Sequence, residues 1–120
     1  MKPIRVIVLA LQGTFVVKNG KNSLEWFRDR GVILAWWGEY ARPTVPMQYE
    51  YVSHQINNEM RLASFMRRHH VFPDEVLWVT NALETMEEAS QKGFKTYLLK
   101  DNTLRMDRLA NQINLHEPRV

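Results

Sequence analysis

Ile4 to Leu11 (IRVIVLAL) constrains the fold more than any other stretch of this chain. It is nearly continuous in apolar residues and rich in β-branched ones, and it is too short for a core helix. Such a run reads as a strand buried on both faces, which needs strands beside it and helices above and below. Val32 to Trp37 (VILAWW), Val76 to Val79 (VLWV) and Lys95 to Leu99 (KTYLL) repeat the signal. Between them lie helical stretches. Ser23 to Arg30 is closed by Gly31, with Asn22 and Glu25 as a capping box. Leu83 to Lys92 is closed by Gly93, and Leu104 to Ile113 comes last, capped by Asn102 or Thr103 and with Leu104, Arg105/Arg108, Leu109 and Ile113 on its inner edge. Met47 or Tyr49 to Arg68 reads as one long helix, because Val52, Ile56, Glu59/Met60, Ala63 and Met66 fall at helical spacing, with Leu62 and Phe65 widening the stripe. Arg42-Pro43-Thr44-Val45-Pro46 is a rigid connection before it. Phe15 to Val17 and the Asn19-Gly20 turn form a small flap.

The order is β-α-β-α-β-α-β-α. It predicts an α/β fold: a small Rossmann-like three-layer sandwich, with a mostly parallel four-stranded sheet and helices on both faces. With 120 residues and no repeat or linker, residues 1–120 read as a single domain. Ligands of such sheets sit beyond the carboxyl ends of the strands. The residues to watch are Ala10 to Thr14, Gly38 to Tyr40, Thr80 to Ala82 and Lys100 to Asn102.

Composition narrows the chemistry. There is no cysteine, so disulfides, thiolate metal sites and a cysteine nucleophile are excluded. A formal charge of +3 is too mild to name nucleic acid as the partner. No apolar run approaches the ~20 residues that cross a bilayer. Met1-Lys2-Pro3 precedes an apolar run, but no small-residue cleavage site follows. The expectation is a cytoplasmic protein without a membrane partner.

Two segments carry a resemblance. The first is Val6-Ile7-Val8-Leu9-Ala10-Leu11-Gln12-Gly13-Thr14-Phe15, a buried strand running into Gly-Thr and an apolar residue. The second is Pro73 to Ala89 (PDEVLWVTNALETMEEA), followed by Gly93-Phe94-Lys95-Thr96. In order and spacing these frames resemble the haloacid dehalogenase (HAD) superfamily of Mg-dependent phosphatases and phosphotransferases. The flap at Phe15 to Lys21 and the helix-glycine-strand unit Leu24 to Trp37 match as well. The family's first motif is a strand ending in Asp-x-Asp-Gly-Thr. Its fourth is a strand ending in Gly-Asp with a further Asp.

The resemblance implies a carboxylate nucleophile, an acid/base carboxylate two residues on, and carboxylate ligands for Mg²⁺. This chain departs from the family at each chemical position. Ala10 stands for the nucleophile and Gln12 for the acid/base, while the framework pair Gly13 and Thr14 is kept. Gly38 stands where the second-motif Ser or Thr belongs. Asn81 and Thr85 replace the fourth-motif acids. Arg61 and Arg42 are the nearest cations to a third motif, neither at a matching position. No Asp or Glu precedes Glu25, so no shift of the first strand restores a nucleophile. The stretch between the second and third strands holds one helix where the family has a further strand, and no insertion is large enough for a cap domain.

The resemblance therefore implies a degenerate, capless HAD-like domain with no catalytic residues, no metal and no cofactor, in which Ala10, Gln12, Gly13, Thr14, Gly38, Asn81 and Thr85 mark vestigial site positions. It would act as a binding or regulatory protein through protein–protein contacts, self-association being left open. Trp37, Glu39, Tyr40, Tyr49 and Tyr51 are the candidate partner surface, since Tyr and Trp favour interfaces. Bland readings compete at each point. Gly13-Thr14 makes a turn, Asn81 caps the helix after it, and Trp36, Trp37 and Trp78 are core. Arg67-Arg68-His69-His70 is a solvated helix end where cations suit the dipole, and His54 and His116 are surface residues. Two other functions remain as alternatives. One is a HAD-like hydrolase with an altered site using Glu39, Asp101 or strand-end histidines. The other is a weak nucleic-acid binder through Arg61, Arg67, Arg68 and the nearby His69 and His70.

Overall fold

The computed structural model describes residues 3–11, 16–18, 24–37, 52–56, 59–101 and 103–115. In chain order they form β1 (Val6–Ala10), β2 (Val16–Lys18), α1 (Leu24–Asp29), β3 (Ile33–Trp37), β4 (Val52–Ile56), α2 (Glu59–Arg68), a 3-10 turn (Pro73–Glu75), β5 (Val76–Thr80), α3 (Leu83–Gln91), β6 (Lys95–Leu98), β7 (Thr103–Arg105) and α4 (Met106–Leu115). The main sheet has five strands in the order β4-β3-β1-β5-β6. All neighbours run parallel. β2 and β7 form a separate parallel pair.

Residues of a strand alternate between faces, and β1 supplies two cores. Ile7 and Leu9 join Leu34, Leu77 and Val79 under Phe27 of α1 and Met106, Leu109 and Ile113 of α4. Val6, Val8 and Ala10 join Ala35, Val76 and Trp78 under Leu62 and Phe65 of α2 and Ala89 of α3. The result is a three-layer α/β sandwich with Rossmann-like layering. Each fully buried Leu, Ile or Phe side chain contributes about 1.5–3 kcal/mol.

Two of the expected elements are corrected. The sheet has five strands, not four, because Val52–Ile56 is a strand paired with β3 rather than the start of a long helix. The helix after it begins only at Glu59. The inner face of α2 is accordingly Leu62, Phe65 and the half-buried Met66, while Met60 and Ala63 are exposed. The final helix begins at Met106, since Thr103–Arg105 pairs with β2 as a strand, so Thr103 is not its cap. Leu104 is buried as expected, but Arg108 is exposed.

The helix ends follow local chemistry. Gly31 (φ +73) and Gly93 (φ +88) take the left-handed conformation that closes α1 and α3. Behind them Val32 N–H donates to the Phe27 carbonyl at 2.9 Å and Phe94 N–H to that of Ala89 at 3.1 Å. α2 ends on His70 at φ 53 instead. Arg5 supports that end: its guanidinium donates to the His70 carbonyl at 3.0 Å and lies 3.9 Å from the buried Glu75 carboxylate. This role for Arg5 has no signature in the sequence. Among the described residues no helix is long and apolar enough to cross a membrane.

Candidate functional site at the carboxyl edge of the sheet

From β1 the chain builds outward to β3 and β4, then returns to place β5 on the other flank of β1 and β6 beyond it. The order therefore reverses between β1 and β5, and the crevice where parallel α/β sheets take ligands opens at their carboxyl ends. The last residues of these strands, Ala10 and Thr80, are register partners. The topology thus brings Ala10, Asn81 and Thr85 to one edge. Gln12, Gly13, Thr14, Gly38, Glu39, Tyr40, Tyr49 and Tyr51 lie outside the described residues, as do Arg42, Asn22 and His116; so does the side chain of His54.

What fills this edge is apolar. Ala10 is only 4 % exposed and belongs to the second core. β3 and β5 flank β1 and so lie about 9–10 Å apart. Yet the rings of Trp37 on β3 and Trp78 on β5 come within 5.0 Å, edge to face. They can do so only by leaning over β1 from either side. The register puts Trp78 level with Val8, and Trp37 one residue beyond the Trp36–Leu9 pair, level with Ala10. Phe94 stacks on Trp78 at 5.6 Å with the planes 3° apart. This aromatic roof shares one buried cluster with Ala10. Trp37 is half-buried and engaged in that packing.

The polar groups nearby serve the backbone. Thr80 is fully buried. Its Oγ1 accepts the Ala82 N–H at 3.1 Å, and its carbonyl accepts the Leu99 N–H at 2.8 Å. Asn81 is not the cap residue of α3: the cap position is Ala82, whose own side chain makes no capping hydrogen bond. Asn81 and Thr85 are both half-buried. Among the described residues, no three His, Asp or Glu gather in a way that could hold a metal ion.

Further along the same edge, Asp101 follows β6. Its carboxylate accepts the Thr103 N–H at 3.1 Å and pairs with Arg105 at 3.3 Å. The Thr103 hydrogen bond outweighs the opposing desolvation and, helped by Arg105 and then the more distant Arg108, holds this carboxyl below the usual carboxylate range. An acid so held has no proton to give at neutral pH and is a weak base, which counts against a general acid/base role. A carboxyl with a lowered folded pKa stabilises the protein above its ordinary pKa and loses that contribution as pH falls through the lowered value. In a side-chain carboxyl NMR titration, Asp101 should therefore titrate below the ordinary aspartate value. Arg105→Gln should move its midpoint up.

No protein-family model matches the chain, and no curated protein or solved structure shows a significant match to it.

Proposed function

We propose that this chain is a non-catalytic, HAD-like domain that acts by binding a protein partner. The observation that carries this reading is the aromatic roof over Ala10. At the switch point, where an enzyme of this shape would keep a solvated carboxylate, a buried methyl lies under Trp37 and Trp78. A nucleophile needs a path for substrate and a charge to attack with, and this position has neither. Gln12, Asn81 and Thr85 at the companion positions supply neutral oxygens where a phosphoryl-transfer site needs anionic ligands for Mg²⁺.

The same edge carries exposed apolar surface. Met60 (82 % exposed) and Leu83 (55 % exposed) lie in the first turns of α2 and α3. Both helices cover the same face of the sheet and begin at its carboxyl edge. Large exposed side chains of this kind suit a protein contact better than a small polar substrate.

The test has two arms. Purified protein with Mg²⁺ should give no turnover above buffer on a general aryl phosphate or a panel of phosphometabolites; turnover abolished by chelation would overturn the reading. Partners captured on the wild-type chain should be lost on a folded Met60→Lys/Leu83→Lys variant. Retention of every one of them would remove this edge as the binding surface.

A further inference from the structure

Beyond the switch point, a pocket of about 210 Å³ lies at the end of β6, and Tyr97, Lys100, Asp101, Thr103, Arg105 and Arg108 contribute to its lining. We propose that it binds a phosphate group, free or carried by a small molecule. Three cationic residues and one carboxylate line it, a net charge of +2, which matches a dianion. Among these cations Asp101 forms a direct ion pair only with Arg105, Arg108 acting on it from farther away; neither Lys100 nor Arg108 has an ion pair among the described residues.

This gathering of charge works against local electrostatics. Arg105 directly precedes α4 and Arg108 stands in its first turn, beside the positive pole of the helix, where cations are disfavoured. The first-turn acid, Asp107, does not line the pocket. An anion between the cations relieves the repulsion.

The class of anion follows from donors and size. Two guanidinium groups, an ammonium and the Thr103 hydroxyl offer donors to several oxygens at once, which suits a tetrahedral phosphate better than a planar carboxylate. Pockets for drug-sized ligands run about 300–1,000 Å³. The volume here suits a phosphate or diphosphate group with little else enclosed. Asp101 tunes the site: it holds Arg105, and its charge opposes the ligand.

The test is an amide-resonance titration of the full chain with inorganic phosphate, pyrophosphate and adenosine monophosphate, with chloride at matched ionic strength as control. Saturable shifts confined to Tyr97–Arg108, stronger for pyrophosphate than for phosphate and absent with chloride, are expected. Binding of the nucleotide more tightly than phosphate would show that the group is taken as part of a small molecule; equal binding would show the free anion. Arg108 is exposed, so Arg108→Ser should fold normally and weaken binding about tenfold, the loss of one charge-assisted contact. Asp101→Asn keeps an acceptor for Thr103 N–H and removes the opposing charge, so it should bind severalfold tighter. No shift, or linear shifts spread over all surface cations, would overturn the proposal. So would an Asp101→Asn variant that binds no tighter.

Discussion

Trp78→Ala should lose about 3–5 kcal/mol of stability in urea unfolding, while Trp78→Phe should lose less than about 1.5 kcal/mol. The side chain is buried at the heart of the second core, between Trp37 and Phe94. Truncation to Ala removes the burial of a large ring and leaves a cavity that strands on both sides hold open. It also removes two aromatic pairs, each worth about 0.5–1.5 kcal/mol beyond its area. With native stabilities of about 5–15 kcal/mol, such a loss takes a large share of the whole. Phe keeps much of the ring contact. It also deletes the indole Nε1–H, which is buried and has no hydrogen-bond partner among the described residues. Leaving that donor unpaired already costs the wild type, so its removal offsets part of the lost area. The contrast between the two variants identifies the role of Trp78. If Ala is tolerated as well as Phe, the ring is not holding the roof over β1.

The parts of the fold that were legible in the sequence are those where one physical signal dominated. β1, β3, β5 and β6 are short apolar runs, and Gly31 and Gly93 sit where only a left-handed residue closes a helix. β4 was illegible for a definite reason. Val52 and Ile56 are four residues apart, and that spacing shares a face in a strand as well as in a helix. Joined to Met60 and Ala63, they drew a helical stripe through what is a strand, a connection and a new helix whose phase is set afresh at Leu62 and Phe65. β7 escaped because three residues carry no period, and its partner β2 is distant in sequence. Of the site, the edge was legible and its contents were not. Sequence placed Ala10 at a strand end and Trp37 and Trp78 in strands, but only the register shows that the rings meet over Ala10. The basic pocket needed Lys100, Arg105 and Arg108 brought together by β6, β7 and the first turn of α4. Read along the chain, Lys100 is a residue at a strand end, while Arg105 and Arg108 are charges on the inner edge of a supposed helix.

Ala10→Asp, which installs the carboxylate that phosphoryl transfer would require, should destabilise the protein by about 3–5 kcal/mol at neutral pH and create no phosphatase activity. Position 10 is 4 % exposed and lies among Val8, Ala35 and Trp78, with Trp37 packed against the same cluster. An ionised carboxylate there loses its hydration among the apolar side chains of that cluster. The new carboxyl should therefore have a raised pKa in the folded state. An acid with a raised folded pKa carries no ionisation penalty below its ordinary pKa. The penalty grows as pH rises above that value and is complete above the folded pKa. Ala10→Asn is the control for size and polarity: it meets the same rings without a charge, and its cost should not vary between pH 4 and pH 8. The difference between Asp and Asn across that range isolates the electrostatic term. A carboxylate accepted at position 10 with no such difference would mean that water or a cation reaches the end of β1. The edge would then be an open, polar site, and the non-catalytic reading would fail at the residue on which it rests.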